Sequence, residues 1–232
     1  MPSALIIGAS SSLGREVVKD FSNSGYNVLA SYSSNKKVLR ASKTVSPIHL
    51  ELNSNESISE FTSFISSNGW SFDVCIFIAG FLPGNNLKDY EINEIDEVMS
   101  INFSGFSKVF KCLQTKFNKD SQIIVVSSIS AQRGSYDPIY AASKGALISF
   151  MKSLSQSKPL RVRANAVAPG LIKNTSMYDD MDKTRQTFHL SQTPTGELTN
   201  KKDLAKIILD ITKPHWKNMN GAIVQVNGGA YV

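Results

Sequence analysis

Tyr140 and Lys144, in the stretch YAASKGAL, stand four residues apart and would share one face of any helix that carries them. A free tyrosine has a pKa near 10 and is a poor acid–base group at neutral pH. A neighbouring ammonium favours the phenolate, and a fall of roughly three units would correspond to about 4 kcal/mol of differential interaction. The spacing therefore predicts a proton donor tuned towards neutrality; a chance pairing on a helix is the alternative. Upstream, VVSSIS places two adjacent hydroxyls, Ser127 and Ser128, at the end of an apolar run. Near the start, ALIIGASSSLG brings Gly8 and Gly14 together across Ser10, Ser11, Ser12 and Leu13. A strand ending in glycine, a short loop and a helix would aim loop and helix N–H groups at a phosphate. There Gly8 would permit the sharp turn and Gly14 the close approach of backbone and ligand. An ordinary strand-to-helix turn has the same spacing.

These residues need elements to position them, and the rest of the chain supplies an alternation of strands and helices. Apolar runs read as strands at SALIIG, YNVLASY, VSPIHLEL, FDVCIFIAG, QIIVVSSIS, LRVRANAVAPG and NGAIVQVNGG. Helical patterns lie over residues 13–24, 56–67, 91–117, PIYAASKGALISFMKSLSQ and 201–211. Such alternation calls for a parallel sheet with helices on both faces. No repeat or linker divides the chain, which reads as one domain over residues 1–232. The segment 171–200 lacks periodicity and is expected to be an irregular binding loop or lid.

Composition bounds the class. The chain has 232 residues, 41% hydrophobic and 19% charged, as a soluble globular protein does. No apolar run approaches a bilayer span, and MPSALIIGAS reads as a first strand rather than a signal peptide. Cys75 and Cys112 are expected to be buried, reduced thiols of a cytoplasmic protein. The net charge of +6 comes from scattered lysines and arginines without a nucleic-acid motif, so neither nucleic acid nor membrane is expected as a partner. A solvated surface explains the charge; attraction to an anionic cofactor or acidic partner is the alternative. His49, His189 and His215 show no metal spacing, and no metal site is expected; His189, within 171–200, either touches substrate or lies on the surface.

Taken together, the motifs resemble those of the short-chain dehydrogenase/reductase family, single-domain branch, over nearly the whole chain. The phosphate loop differs from that family's pattern by Ser12 in place of a middle glycine, and IAG has Ile78 where asparagine is usual. The resemblance implies an α/β Rossmann fold, a doubly wound parallel sheet of about seven strands with helices on both faces. It also implies hydride transfer between a nicotinamide and a carbonyl or secondary alcohol. In that reading Tyr140 moves the proton and Ser128, or its neighbour Ser127, holds the substrate oxygen. Lys144 tunes Tyr140 and grips the ribose, and Asn102 in SINFSG holds a water relaying protons to the lysine. The dinucleotide would contact Gly8, Ser10, Ser11, Ser12, Leu13, Gly14, Ala79, Gly80, Tyr140 and Lys144. Glu51 and Leu52 would lie at the adenine, and Pro169, Gly170, Ile172 and Thr175 beside the nicotinamide.

The end of the second strand bears on which nicotinamide is used. A carboxylate there would bond the ribose 2′-hydroxyl and repel a 2′-phosphate. This chain has SYSSNKK, with Tyr32 in the acid's place, Ser33 where an arginine is common, and Lys36, Lys37 and Arg15 as nearby cations. NADP is expected, with NAD the alternative. The closest subgroup resemblance is to 3-oxoacyl-[acyl-carrier-protein] reductases, through YAASKGALISFMKSL, NAVAPGLI and VNGGAYV. It implies an acyl-thioester substrate and an acidic carrier protein docking at Lys119 and Arg161, which plain surface charge also explains. Sugar or small-ketone reduction, or a non-catalytic nucleotide sensor, are the rival functions. The family's habit implies a homodimer or homotetramer, paired through the helices of Asn102 and Tyr140.

Overall fold

The computed structural model describes residues 1–34 and 38–232; Lys36 and Lys37 lie outside the described residues. The first apolar run forms β1 (Ser3–Ile7), whose side chains alternate between two cores. Leu5 and Ile7 enter one, Ala4 and Ile6 the other. Both faces are covered, so the strand reads as an unbroken apolar run. Next come α1 (Ser12–Asn23), β2 (Asn27–Tyr32), β3 (Val45–His49), α2 (Asn55–Ser67) and β4 (Phe72–Phe77). The chain continues through α3 (Ile92–Met99), α4 (Gly105–Leu113), β5 (Phe117–Val126), α5 (Ser130–Arg133), α6 (Pro138–Ser155) and β6 (Arg163–Pro169). It closes with β7 (Ile172–Lys173), α7 (Ser176–Asp179), α8 (Lys183–Ser191), β8 (Thr199–Asn200), α9 (Lys201–Asp210) and β9 (Ile223–Val226).

Seven of these strands make one sheet in the order β3-β2-β1-β4-β5-β6-β9, parallel throughout. One core packs Val17 and Phe21 of α1 and Leu204 and Ile208 of α9 beneath Ile6 and Ile76. The other joins Phe61 of α2, Phe106 of α4 and Leu147 of α6 to Leu5 and Phe77; Phe77 stacks on Phe106 with centroids 4.4 Å apart. The winding reverses between β1 and β4, which pair from Ala4 with Val74 to Ile7 with Phe77. A crevice therefore opens at the carboxyl ends of these strands, where ligands of such sheets bind.

Three expectations about elements are corrected. The helical pattern over 91–117 is two helices joined by a π turn, Ser100–Ser104, in which the Gly105 N–H donates to the Ser100 carbonyl. Gly105 abuts Leu52, where a Cβ would overlap the Leu52 carbonyl oxygen, so the helix is fitted to its neighbour at this turn. Phe117 belongs to β5, pairing with Phe72 and stacking on Phe110. The segment 171–200 is not irregular: it holds α7, α8 and the two-stranded β7–β8 ribbon. Its helices leave no pattern in the sequence because they are short and polar, with Gln186 the buried residue of α8. Cys75 is buried in the sheet, but Cys112 is exposed on α4, beside the buried Leu113. No helix among the described residues is long and apolar enough to cross a membrane.

Candidate active site

The loop between β1 and α1 is held by its own side chains. Gly8 has φ +87°, which favours glycine, and a Cβ there would lie 2.5 Å from the Ala79 nitrogen. Its N–H donates to the Ser31 hydroxyl at 3.0 Å. Ser11 caps α1, accepting from the Gly14 N–H at 3.0 Å and donating to the Gly8 carbonyl at 2.8 Å. Arg15, expected as a free cation, donates to the Ser10 carbonyl at 2.8 Å and so braces the loop. The expectation for Gly14 is corrected too: its missing side chain makes room for the Gly8 carbonyl and Ala9, not for a ligand. Ser11, Ser12 and Leu13 line the crevice, with no acidic residue in the first turn of α1 to oppose an anion.

From this loop a cleft of about 950 Å³ runs along the carboxyl edge of the sheet to Ser128, Tyr140 and Lys144. Ser127 and Ser128 divide cleanly. The Ser127 hydroxyl donates to the Lys144 carbonyl at 2.8 Å inside the protein. The Ser128 oxygen accepts from the Ser130 N–H at 3.1 Å and sits beside the Tyr140 phenol. Lys144 is buried, its ammonium donating to the carbonyls of Val126 at 3.0 Å and Ala79 at 3.4 Å. A Cβ on Gly80 would lie 3.0 Å from Lys144 Nζ, so glycine leaves room beside that nitrogen.

The electrostatics overturn one expectation. Burial pushes the Tyr140 phenol up to about 12, and the Ser128 hydrogen bond opposes this only in part. Lys144 is not hydrogen-bonded to it: its Nζ is 5.9 Å from the ring centroid, its protons are directed at carbonyls, and burial pulls its own pKa down to about 8. At neutral pH the site thus holds a neutral phenol beside an ammonium.

Asn102 lies behind this group, fully buried at the π turn. Its amide donates to the Phe81 carbonyl and to Ser143 Oγ at 2.9 and 2.8 Å, and its oxygen accepts from the Phe81 N–H at 2.6 Å. It fastens the loop after β4 to α6. Asp137, which no motif in the sequence singles out, does the same from the other side. Fully buried at the N-cap of α6, it accepts from the Tyr140 N–H at 2.9 Å, the Tyr90 hydroxyl at 2.7 Å and the Gly84 N–H at 3.1 Å. A signal for it is present nonetheless, since Asp before Pro138 marks a helix start.

Of the remaining expected contacts, Gly80, Pro169, Gly170, Ile172 and Thr175 line the cleft. Ala79 sits beneath it, bonded through its N–H to Ile7. Leu52 is instead core, packed against Gly105, and Glu51 is 3.3 Å from His49 on an exposed edge. Ser33 is exposed beyond β2. Lys119 and Arg161 are exposed near the starts of β5 and β6, at the opposite edge of the sheet from the cleft. Among the described residues no group of three or more His, Cys, Asp or Glu could hold a metal.

A family model described as enoyl-(acyl carrier protein) reductase matches residues 8–231. The chain belongs to the short-chain dehydrogenase/reductase family. It is 27% identical, over 99% of its length and 97% of the relative's, to a 3-oxoacyl-[acyl-carrier-protein] reductase of Buchnera aphidicola. A crystal structure of a short-chain dehydrogenase/reductase from Brucella melitensis, named as a glucose/ribitol dehydrogenase, is 25% identical with TM-score 0.92, covering 100% of this chain and 97% of that one. A Burkholderia cenocepacia short-chain dehydrogenase solved in complex with NADP shares the fold at 20% identity and TM-score 0.90, covering 99% and 97%.

Proposed function

We propose that this short-chain dehydrogenase/reductase is an NADP-preferring carbonyl reductase, with 3-oxoacyl thioesters as its substrate class. The observation that carries this reading is the convergence of Ser128, Tyr140 and Lys144 on one cleft that begins at the glycine loop. The residues fit a dinucleotide: backbone N–H groups and hydroxyls of Ser11 and Ser12 would hold the pyrophosphate at the α1 N-terminus. Lys144 would reach the ribose past Gly80, and Gly170, Ile172 and Thr175 would flank the nicotinamide. When bound, the cofactor supplies the hydride. Ser128 donates a hydrogen bond to the substrate carbonyl oxygen, and Tyr140, a neutral phenol at pH 7, delivers the proton to it. The adjacent Lys144 ammonium stabilises the phenolate that results. Asn102 and Asp137 keep α6 and the loop after β4 in register with this chemistry. The segment 171–200 acts as the lid, touching the phosphate loop through Ser12 and Ser176, whose hydroxyls are 3.3 Å apart.

NADP preference is supported by the absence of a carboxylate at Tyr32–Ser34, where β2 ends. The carbonyl, rather than the enoyl group named in the family model's description, is supported by a serine hydroxyl beside a protonated tyrosine. The acyl thioester comes from the Buchnera relative; Lys119 and Arg161, across the sheet from the cleft, do not frame its mouth. We further propose a homodimer or homotetramer in the cytoplasm, for which light scattering showing a monomer would be decisive against.

The test follows NADPH oxidation with an acetoacetyl thioester, comparing NADH and Tyr140→Phe. Turnover with NADPH that falls about 100-fold or more in the variant is expected. Turnover untouched by the variant would refute the reading. Similarity to the Brucella glucose/ribitol dehydrogenase favours sugars as the second substrate class, and ribitol oxidation is the matching assay.

A further inference from the structure

Past Tyr140 the cleft is walled by α5 and the turn after it on one side and by α8 on the other. Arg133, the last residue of α5, and Arg185, in the first turn of α8, both line it and both are exposed. The Arg185 guanidinium lies 4.6 Å over the Tyr136 ring, which fixes its stem against the wall and leaves its N–H edges for a planar anion. His189 lies one turn further along α8, half-buried, and both guanidiniums act on it: burial first, then Arg133 and Arg185, lower its pKa. The two positive charges therefore converge on one region of the wall.

Nothing among the described residues answers these charges. Among the described residues no Asp or Glu lines the cleft, and neither arginine is in an ion pair. Two carboxylates close by in the chain are otherwise committed. Asp137 is buried on Tyr90, Gly84 and Tyr140, and Asp182 caps α8 by accepting from the Arg185 backbone N–H at 2.9 Å. The dinucleotide's phosphates do not explain the pair either, because their expected loop, Ser11–Leu13, is at the other end of the cleft. Arg15, the arginine at that end, is turned onto the Ser10 carbonyl.

We infer that Arg133 and Arg185 form an anion subsite, so that the preferred substrate carries a carboxylate or phosphate on the part that extends past its reducible carbonyl. His189 adds a neutral hydrogen-bonding group to the same wall. The inference rests on the carbonyl-reductase reading, since that reading places the carbonyl at Ser128 and Tyr140. Charge-assisted hydrogen bonds of this kind are worth about 10-fold or more in kcat/KM.

Two matched pairs distinguish the sources of the anion. One is 4-oxopentanoate against its methyl ester; the other is acetoacetyl-coenzyme A against the neutral acetoacetyl-N-acetylcysteamine thioester. Each is assayed with the full-length protein and with Arg133→Met/Arg185→Met, whose exposed side chains can be replaced without opening the core. A preference of about 10-fold or more for the anionic member, collapsing in the double variant, is expected. Its appearance in the first pair assigns a carboxylate, in the second a phosphate. Equal kcat/KM within both pairs, or a preference that survives the double variant, overturns the subsite. Calorimetric binding of 4-oxopentanoate and its ester needs no turnover. Arginine-dependent binding of the acid without reduction would sink the reductase reading and keep the subsite. Equal binding of acid and ester in a protein that shows no preference in turnover would sink the subsite alone.

Discussion

Removing the Asp137 carboxylate should unfasten the proposed catalytic helix from the loop after β4. In Asp137→Ala three donors lose one acceptor pair: the Tyr140 N–H, the Tyr90 hydroxyl and the Gly84 N–H. An N-cap is worth about 1 kcal/mol. A hydrogen bond to a charged group contributes about 1.5–3 kcal/mol, and a donor left buried without a partner costs about 1–3. Allowing for overlap among groups sharing one carboxylate, Asp137→Ala should lose about 4 kcal/mol. Asp137→Asn keeps one oxygen for Tyr140 and Tyr90 but turns an NH₂ towards the Gly84 N–H, so about 2 kcal/mol is expected. Urea unfolding at pH 7 measures both, and a cycle with Tyr90→Phe isolates the hydroxyl contact. Because Tyr140 is three residues along the same helix, kcat should fall with stability, whereas cofactor binding at Ser11–Leu13 should hold. An Asp137→Ala protein within about 1 kcal/mol of wild type would refute the reasoning, as would zero coupling between positions 90 and 137.

Three further outcomes follow from the same geometry. Ser127→Ala should cost about 1–2 kcal/mol of stability while keeping turnover, because its hydroxyl serves the Lys144 carbonyl; Ser128→Ala should do the reverse, and urea unfolding beside NADPH oxidation separates them. Gly8→Ala should destabilise by more than about 2 kcal/mol, since its φ of +87° and the Ala79 backbone 2.5 Å from the new Cβ both resist a side chain; thermal unfolding reads this. Lys144 has a native pKa of about 8 against an ordinary 10.5, so between those values the unfolded chain holds a proton the native protein has released. Its contribution to stability therefore rises with pH across that window, by about 3 kcal/mol. Lys144→Met should abolish that rise and turnover together, and should be no less stable than wild type at pH 7; unfolding from pH 7 to 10 checks it.

The sheet was legible in the sequence because its strands are covered on both faces, so that ALII and VCIFI read as continuous apolar runs whatever packs on them. The proposed catalytic pair was legible for a related reason: Tyr140 and Lys144 are joined by one turn of helix, and local geometry alone puts them on one face. What escaped was decided by partners far away in the chain. Phe117 reads as the end of a helix until Phe72 is beside it in β4, and the π turn at Ser100–Ser104 answers to Leu52. The short helices of 171–200 bury too little apolar surface to leave a period.

The pKa of Tyr140 belongs with these long-range effects. Sequence spacing supplies the ammonium but not the depth of burial. It does not reveal that Val126 and Ala79 draw the ammonium's protons away from the phenol. Burial makes this phenol a weaker acid than a free tyrosine, so proton delivery from it depends on the phenolate's being stabilised as it forms.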